Sequence, residues 1–460
     1  MRIHVPLAAA AALLAASADA RGIHWRQDPK SHPITTATQN AGIDFPQLQY
    51  YGGHVISNVK IYAIFWGPNI DATISSKIGP FYQAFATGPM FGWLNEYDTS
   101  ITPVGGGTGT NQHIGPGSFV KAITITPSHT ATTLQDSDIQ AEIQAQIAAG
   151  HIPAPDANTI YMNHFPHGTT ISIQGANSCQ SGGFCAYHGT IAAAGGKPEI
   201  FYSVIPDFGT GSGCDLGCGS SGLFNNTCSA SSHELIEAVT DAEVGLATTN
   251  APPLAWYDTQ AATSNSSHGE IGDICNASQS TFVGADGVTY TEQNEWSNAM
   301  GACIASYPAD NFGLSVSAAQ TVNAGTAATY TIATTAKSGN PGAITLSTLD
   351  LPSGLTATFS PSSVTAGQTS TMTLATSSSS GSGTFVVVGK AGNTTVNAPA
   401  TVTVTGGSGG GGGGGACPPG TIDLGGICLP ASCSQAGATP WVALLVIGAF
   451  AVSRRRRAQA

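Results

Sequence analysis

The stretch that decides the fold of the N-terminal half is Ser231-Ser-His-Glu-Leu-Ile-Glu-Ala-Val-Thr-Asp241. The four apolar residues between positions 235 and 239 form one face, which predicts a helix that enters a hydrophobic core. His233 and Glu237 are four positions apart, so their side chains project from the same face of that helix. Side chains with this spacing can bind one cation, and we expect His233 and Glu237 to be metal ligands.

The role of Glu234, which directly follows His233, has two interpretations. In a His-Glu-x-x-His arrangement, the equivalent glutamate reaches a metal-bound water and acts as a general base, so Glu234 is the expected catalytic residue. Alternatively, Ser231-x-x-Glu234 is a capping-box pattern, in which the Glu234 carboxylate only accepts a hydrogen bond from the Ser231 N–H. A catalytic Glu234 should face an open cleft, whereas a capping Glu234 should not.

Further carboxylates follow in Gly269-Glu-Ile-Gly-Asp-Ile-Cys275. We expect Glu270 to be the third metal ligand and Asp273 to orient His233 by a hydrogen bond. One imidazole and two carboxylates predict one divalent cation, with zinc as the expected ion and Mn²⁺ or Ca²⁺ as alternatives, because the site is rich in oxygen. These ligands neutralise the charge of Zn²⁺, so a bound water should be less acidic than at a site with two imidazoles.

Tyr257 is the second expected catalytic residue, since its hydroxyl group could polarise a substrate carbonyl beside the metal. Packing of Trp256-Tyr257 in the core is the alternative. Cys185 and His188 could form a nucleophilic pair. Residues 1–20 have the pattern of a signal peptide, however, and a cysteine in an exported chain is expected to be oxidised. The pair His164 and His167 is interrupted by a proline, which favours a loop or a strand end over a ligand pair.

These motifs carry a resemblance to known families. His233-Glu-Leu-Ile-Glu-Ala-Val-Thr-Asp241, followed by Glu270-Ile-Gly-Asp273, resembles the gluzincin branch of zinc metallopeptidases, with Glu237 at the position of that family's second histidine. Together with Ala255-Trp-Tyr-Asp258, the same blocks are similar to the secreted phosphate-induced, exordium-like family. The resemblance implies an extracellular zincin-like domain whose helix supplies metal ligands and a general base.

The expected fold is an α/β or α+β zincin-like domain over residues 21–310, followed by an all-β Ig-like sandwich over residues 311–405 and a short C-terminal apolar helix. In the first domain, helical patterns and strand-like runs alternate, which is typical of mixed folds. The helical patterns lie around Ser75–Leu94, Asp136–Ala149 and Ser232–Thr240, and the strand-like runs are Val59–Trp66, Ala122–Thr126, Thr159–Met162 and Glu199–Ile205.

The second domain has short runs of alternating polar and apolar residues separated by turn signals, which predicts an antiparallel β-sandwich. The segment Leu351–Gly367 resembles the Ig-like modules near the C-termini of exported bacterial enzymes. No catalytic motif falls in this domain, so we expect a stalk or an adhesion module.

The cysteines predict disulfides, because the chain is expected to be exported. Seven of the 10 cysteines lie in the first domain, so at least one of them is left over. Cys179 with Cys185 and Cys275 with Cys303 are the expected pairs. A third pair is expected among Cys214, Cys218 and Cys228, with Cys218 and Cys228 as its candidates.

Both ends of the chain predict targeting segments. Residues 1–20 have the pattern of a signal peptide that is cleaved after Ala18-Asp-Ala20. A Gly-rich linker with a small Cys loop occupies residues 406–432. Residues 433–460 combine a cysteine, a short apolar helix and four arginines, and they resemble the myxobacterial-type C-terminal sorting tail. This tail implies transient membrane insertion and a sorting protease that acts near Cys433, with an ordinary single-pass transmembrane anchor as the alternative.

The charge composition of the chain limits which partners it can bind. Without the leader and the terminal arginine cluster, 9 basic and 25 acidic residues remain, a charge of about −16. Such an acidic body cannot neutralise many phosphates, which argues against nucleic acid as a partner.

Taken together, the motifs and the targeting segments predict an exported metal-dependent hydrolase, a peptidase acting on peptide or protein substrates, at the outer cell surface or in the extracellular space. The alternative function is a non-catalytic extracellular protein of the exordium-like type that keeps the fold without hydrolysis.

Overall fold

A computed structural model of the chain describes residues 23–25, 46–196, 198–260, 268–378, 380–406, 421–423 and 428–430. The predicted signal peptide (1–20), the sorting tail (433–460) and nearly all of the predicted linker (406–432) lie outside the described residues. No helix in the described part of the chain is long and apolar enough to cross a membrane.

The described residues are mostly β-sheet with few helices. The helices are α1 (Ala72–Ala86), α2 (Asp136–Ala148) and α3 (Leu223–Thr240). The strands that precede residue 311 are β1 (Ile23–Trp25), β2 (Gln49–Tyr50), β3 (Lys60–Phe65), β4 (Ser118–Thr124), β5 (Thr133–Gln135), β6 (Thr159–His164), β7 (Thr170–Ile173), β8 (Ala176–Asn177), β9 (Phe184–Ile191), β10 (Ile200–Ile205), β11 (Trp256–Tyr257), β12 (Gln279–Val283), β13 (Thr289–Gln293), β14 (Glu295–Ser297) and β15 (Ala302–Ile304).

A six-stranded mixed sheet organises this N-terminal part, with strand order β1-β9-β10-β6-β3-β4. The four strands from β10 to β4 are parallel, whereas β9 pairs antiparallel with β10, and β1 pairs antiparallel with β9. Alternate residues of each strand point to opposite faces. Ile61 and Ala63 of β3 therefore join a core with α1 and α3, while Ile64 joins a second core with α2. The sheet is covered by helices on both faces.

The helix bounds differ from expectation at two places. Helix α1 ends at Ala86 rather than near Leu94, because Gly88 and Pro89 follow its C-cap and cannot continue it. Helix α3 begins at Leu223, nine residues before the predicted start at Ser232, and Gly222 is its N-cap. Its first turns are rich in small polar residues that are nearly all buried, so packing rather than helix propensity keeps them helical.

Residues 311–405 form the predicted β-sandwich. Its strands are β16 (Asn311–Val316), β17 (Gln320–Asn323), β18 (Ala328–Ser338), β19 (Ala343–Leu349), β20 (Thr356–Ser360), β21 (Ser363–Thr365), β22 (Thr369–Ala375), β23 (Gly383–Ala391) and β24 (Thr394–Thr405). A four-stranded sheet (β16-β18-β22-β20) faces a five-stranded sheet (β17-β24-β23-β19-β21) across a single core. Beyond the sandwich, β25 (Thr421–Asp423) pairs with β26 (Cys428–Pro430).

Three disulfides crosslink the N-terminal part: Cys179–Cys214, Cys185–Cys218 and Cys275–Cys303. The pair Cys275–Cys303 is the expected one, whereas the expected pair of Cys179 with Cys185 is wrong. The loop before α3 folds back on this region so closely that a Cβ atom at Gly213 would clash with the Cys179 carbonyl oxygen. This path places the two cysteines of the loop opposite Cys179 and Cys185. Cys228, expected to pair with Cys218, is a buried free thiol in α3.

Candidate metal centre

A cluster of polar and ionisable side chains, all buried except the half-buried Asp273, lies where α3 packs against β9. Four elements contribute to it. The residues are His188 from β9, His233, Glu234 and Glu237 from α3, Glu270 and Asp273 from the segment after β11, and Gln293 from β13. His188 is 3% exposed, and the three glutamates are 0% exposed. No lysine or arginine of the described residues forms an ion pair with these carboxyl groups.

His188, Glu237 and Glu270 place one ligand atom each within 4.8 Å of one another. His188 Nε2 lies 3.5 Å from Glu270 Oε1, and His188 Nδ1 lies 3.5 Å from Glu237 Oε2. Ligand atoms held about 2.0–2.2 Å from a tetrahedral zinc ion are about 3.3–3.6 Å apart. The distance between His188 Nε2 and Glu270 Oε1 matches this spacing, whereas the distance to Glu237 is measured from the other ring nitrogen, Nδ1. For the set of three residues, the structure places the ligand atoms within 4.8 Å of one another.

The hydrogen bonds of these residues provide a test of whether they fit a cation. Within the described part of the chain, His188 Nε2, Glu237 Oε2 and both carboxylate oxygens of Glu270 are buried without a hydrogen-bond partner. Leaving such groups unsatisfied is costly, and for a charged group the cost is higher still. A bound cation would satisfy all of these atoms at once, and one imidazole nitrogen with carboxylate oxygens is a donor set that zinc accepts. The residues fit a divalent cation.

Glu234 contacts His188 rather than a helix cap. Its Oε2 lies 3.2 Å from His188 Nδ1. Metal-ligating histidines commonly donate the N–H of their second nitrogen to a carboxylate in this way. Burial raises the pKa of Glu234 to about 7, although the hydrogen bond to His188 opposes this shift. The capping-box interpretation is wrong, because α3 starts eight residues before Ser231 and Glu234 is in its interior.

His233, the expected metal ligand, has other partners in the structure. Gln293 Nε2 lies 2.7 Å from His233 Nδ1 and also donates to the Gly272 carbonyl oxygen. Because that amide nitrogen is a donor, His233 accepts at Nδ1 and carries its proton on Nε2, which lies 3.0 Å from Glu237 Oε1. His233 also forms a second group within 4.8 Å with Glu237 and Asp273.

Glu237 is the residue that both groups share, and its two oxygens face different ways. Oε1 accepts from the Asp273 backbone N–H at 3.0 Å and faces His233, while Oε2 faces His188. Burial opposes ionisation of Glu237, but the neighbouring imidazoles of His233 and His188 outweigh it and lower its pKa. Glu237 is therefore an ionised carboxylate held in a fixed orientation.

The pKa shifts of Glu270, Asp273 and His188 show that this site holds several carboxyl groups close together. Burial raises the pKa of Glu270 and, more strongly, that of Asp273, and the neighbouring Glu237 adds to both shifts. Burial alone would lower the pKa of His188, but the carboxylates of Glu270, Glu234 and Glu237 raise it well above its usual value. A site that attracts a proton this strongly also attracts a cation.

Gly272 lets the chain pass close to the two α3 side chains. A Cβ atom at this position would lie 2.8 Å from Glu237 Oε1 and 2.8 Å from His233 Nδ1. Any larger residue would displace one of them, which explains why a glycine stands between Glu270 and Asp273.

The structure brings five of the six expected site residues together and separates the sixth. Tyr257, the expected carbonyl-polarising residue, lies in β11 and packs against a small cluster with Tyr51, Val244 and Leu254. Asp273 lies beside His233, as expected, but Gln293 is the residue at His233 Nδ1. Cys185 is oxidised to a disulfide, so it cannot act as a nucleophile with His188.

The sequence did not place two residues of this centre, His188, which it offered only as a partner of Cys185, and Gln293. His188 follows a cysteine in the run Phe184-Cys-Ala-Tyr-His188, where every residue is buried. A histidine in such an apolar strand is a usable signal, because a buried imidazole needs a partner. Gln293 gave no comparable signal, since its role depends on the packing of β13 on α3.

The two other histidines considered from sequence lie outside the centre. His164 ends β6 and is buried, with its Nε2 atom 2.9 Å from the Tyr82 hydroxyl group. His167 is exposed and pairs with Asp207 at 2.7 Å.

No known family model matches the chain, and no curated protein matches it significantly. Among solved structures, domains 4 and 5 of the S-layer protein SbsC are 18% identical over 25% of this chain and 58% of that chain, with a TM-score of 0.16. A chimeric titin Z1Z2 is 16% identical over 21% of this chain and 95% of that chain, with a TM-score of 0.15. The chain thus spans less than two thirds of the SbsC fragment, and at these TM-scores the likeness assigns neither a fold nor an activity.

Proposed function

We propose that this protein is an exported metal-dependent hydrolase, whose cation is bound by His188, Glu237 and Glu270. The observation that carries the proposal is the convergence of buried nitrogen and oxygen atoms from these three residues that lack any hydrogen-bond partner in the described chain. The proposal replaces His233 by His188 in the ligand set, because the hydrogen bonds of His233 fit a residue that positions Glu237.

Each residue then has a defined task. His188, Glu237 and Glu270 bind the ion, Glu234 orients His188, and His233 holds Glu237. Zinc sites with three protein ligands keep a coordination position open, whereas structural zinc sites use four protein ligands. A zinc ion in such a site lowers the pKa of a coordinated water, which provides a nucleophile for peptide hydrolysis. The three-ligand set is thus what favours a hydrolase.

The position of Glu234 beside the proposed ligands also supports this proposal. A general base needs an oxygen that can accept a proton, and Glu234 has one. Its second oxygen, Oε1, has no hydrogen-bond partner among the described residues and remains available for a proton. Glu234 therefore keeps the base role expected from sequence, in addition to orienting His188.

The wider assignment to a zincin-like domain is part of the same proposal. Its support is a helix with a His-Glu-x-x-Glu face that packs against a mixed sheet near its antiparallel strand. Export is supported by three disulfides, since these persist in oxidising compartments. We infer that the sandwich serves as a stalk, and that processing near Cys433 leaves the protein at the cell surface or releases it.

One observation favours the second candidate, a non-catalytic extracellular protein with a structural ion. The three proposed ligands are at most 3% exposed, so a peptide could not reach the ion in this conformation. A closed site is typical of structural metals.

The experiment is elemental analysis of the purified exported protein, with hydrolysis of fluorescent casein measured in parallel. We expect one equivalent of zinc or manganese in wild type and in the control Glu142→Gln, which alters a buried carboxyl group far from the centre. Glu270→Gln should lose the ion. Wild type without a stoichiometric ion would overturn the proposal, and an ion without hydrolysis under any activating condition would favour the structural candidate.

A further inference from the structure

Strand β1 is the neighbour of β9, the strand that carries His188. It pairs antiparallel with β9, with Ile23 opposite Tyr187, His24 opposite Ala186 and Trp25 opposite Phe184. The residue after Tyr187 is His188, the proposed metal ligand. β1 also contacts α3, the helix that carries Glu234 and Glu237. The short strand therefore touches both elements that form the centre.

β1 forms one end of the six-stranded sheet, and β9 would be the edge strand without it. An edge strand offers unpaired N–H and C=O groups to any extended peptide, because main-chain pairing does not depend on sequence. In the described structure, the N-terminal segment of the chain itself occupies this edge.

β1 is also weakly attached compared with the rest of the sheet. It is three residues long, and its register with β9 is interrupted between His24 and Trp25. By contrast, β10 pairs with β9 over five residues and with β6 over five residues on its other side. Short terminal strands open locally at a much lower free-energy cost than the interior of a sheet.

We propose that β1 is a built-in cover, which holds the metal centre closed and whose release opens the ion and the β9 edge to an extended peptide. This inference rests on the proposed function and explains how a hydrolytic site can be buried in the intact chain. The peptide would replace β1 as the strand beside β9, so its scissile bond would lie next to His188.

The first test measures how fast a chelator removes the ion. In the full-length variant His24→Pro, proline removes a backbone N–H and fixes φ, so β1 should detach from β9. We expect the chelator 4-(2-pyridylazo)resorcinol to extract zinc roughly 10- to 100-fold faster than from wild type, as the loss of two or three main-chain hydrogen bonds implies. The matched control His24→Ala keeps the N–H and should behave as wild type. Equal rates in all three proteins would overturn the proposal.

The second test requires no metal, so it separates this inference from the proposed function. A fluorescently labelled peptide with the sequence of residues 21–27 should bind to His24→Pro, whose β9 edge is open, and not to His24→Ala. Fluorescence polarisation measures this binding, and in the zinc-loaded variant excess peptide should restore slow extraction. Failure of the peptide to bind a His24→Pro protein with native circular dichroism would overturn the cover, whatever the metal content.

The third test uses wild type alone and guards against misfolding of the variant. Hydrogen exchange followed by mass spectrometry should show the amides of residues 23–25 exchanging by local opening, well before those of residues 200–205 of β10. If both segments exchange only on global unfolding, β1 is a fixed part of the sheet and the proposal is wrong.

Discussion

His188 and His233 are equally buried, but their ring nitrogens have different partners. His188 has a carboxylate at Nδ1 and no hydrogen-bond partner at Nε2 within the described chain. His233 has an amide donor at Nδ1 and a carboxylate at Nε2. The unprotonated nitrogen of His233, Nδ1, already accepts a hydrogen bond from Gln293, whereas Nε2 of His188 accepts none within the described chain. For this reason we propose His188 as the metal ligand and His233 as the residue that positions Glu237.

Gln293 provides a direct test of the positioning role of His233. Gln293→Leu removes the donor to His233 Nδ1, so His233 is free to change its tautomer and release Glu237. Changes outside the ligand set of a metal site typically cost about 10- to 100-fold in affinity. We expect a loss of this size in zinc affinity, measured by competition with a chromophoric chelator.

Gln279 is the matched control for this variant. It lies directly opposite Gln293 in the β12–β13 hairpin and donates to the Ser229 hydroxyl group instead. Gln279→Leu should leave zinc affinity unchanged. Equal losses in the two variants would mean that the hairpin matters only for packing.

Glu292 is a buried carboxyl group without a hydrogen-bond partner among the described residues. Burial raises its pKa to about 8, so the folded protein binds a proton that the unfolded chain releases near its ordinary pKa of about 4.3. Stability should therefore fall as the pH rises from about 4 to about 8. Glu292→Gln mimics the protonated group and should be more stable than wild type at pH 8, by on the order of 1–3 kcal/mol.

Thermal unfolding of both proteins at pH 5 and pH 8 tests whether stability falls as the pH rises. The variant and wild type should melt at similar temperatures at pH 5 and diverge at pH 8. A variant that is less stable than wild type at pH 8 would show that Glu292 is ionised in the folded protein.

At the scale of elements, the disulfide Cys185–Cys218 connects the two halves of the centre. Cys185 lies in β9, three residues before His188, and Cys218 lies five residues before α3 begins. The crosslink closes a loop with a sequence separation of 33 residues. Restricting the unfolded chain in this way contributes about 3–4 kcal/mol in the chain-entropy account.

We therefore expect the double variant Cys185→Ser, Cys218→Ser to melt at a lower temperature and to bind zinc more weakly, since both β9 and α3 lose an anchor. Melting temperature and zinc affinity should be measured on the same sample. Cys228→Ala is the control, because it removes a buried free thiol without breaking a crosslink. Unchanged zinc affinity in the double variant would show that packing alone sets the distance between β9 and α3.

At the scale of the whole molecule, the sandwich packs on the end of the N-terminal part. Met300 is buried in the core of the sandwich, and its neighbour Ala299 accepts a hydrogen bond from the Asn397 N–H at 2.5 Å. Thr394 of the same strand, β24, donates to the Asp310 carbonyl oxygen at 2.8 Å. These contacts give the two parts a shared interface.

A chain that ends at residue 310 tests what this interface contributes. Burying one methionine side chain contributes about 1.5–3 kcal/mol, so the shortened chain should melt at a lower temperature than the N-terminal part of the full chain. It should keep its zinc, since none of the proposed ligands lies beyond residue 310. Calorimetry and elemental analysis measure the two properties, and an unchanged melting temperature would show that the sandwich is only tethered.

Part of the fold and of the centre could be predicted because it depends on local patterns. The helical patterns near α2 and the strand-like runs near β3, β6 and β10 are periodic in the sequence, and so is the alternation in the sandwich. The start of α3 could not be predicted, because buried polar residues hold its first turns in place of a capping motif. The contact of Glu234 with His188 could not be predicted either, since the two residues are 46 positions apart.

The sequence by itself determined that residues 231–275 hold a compact set of buried acids around His233, because helical spacing and a glycine between two carboxylates are local properties. It also predicted the sandwich and offered Cys275–Cys303 as one pair, but it left the disulfide connectivity open, and the pair Cys179–Cys185 offered beside it was wrong. Only the tertiary structure decided that His188 faces Glu237 and Glu270, that Gln293 holds His233, and that β1 closes the edge of β9. Those contacts join distant segments through sheet order and helix packing, which spacing along the chain does not encode.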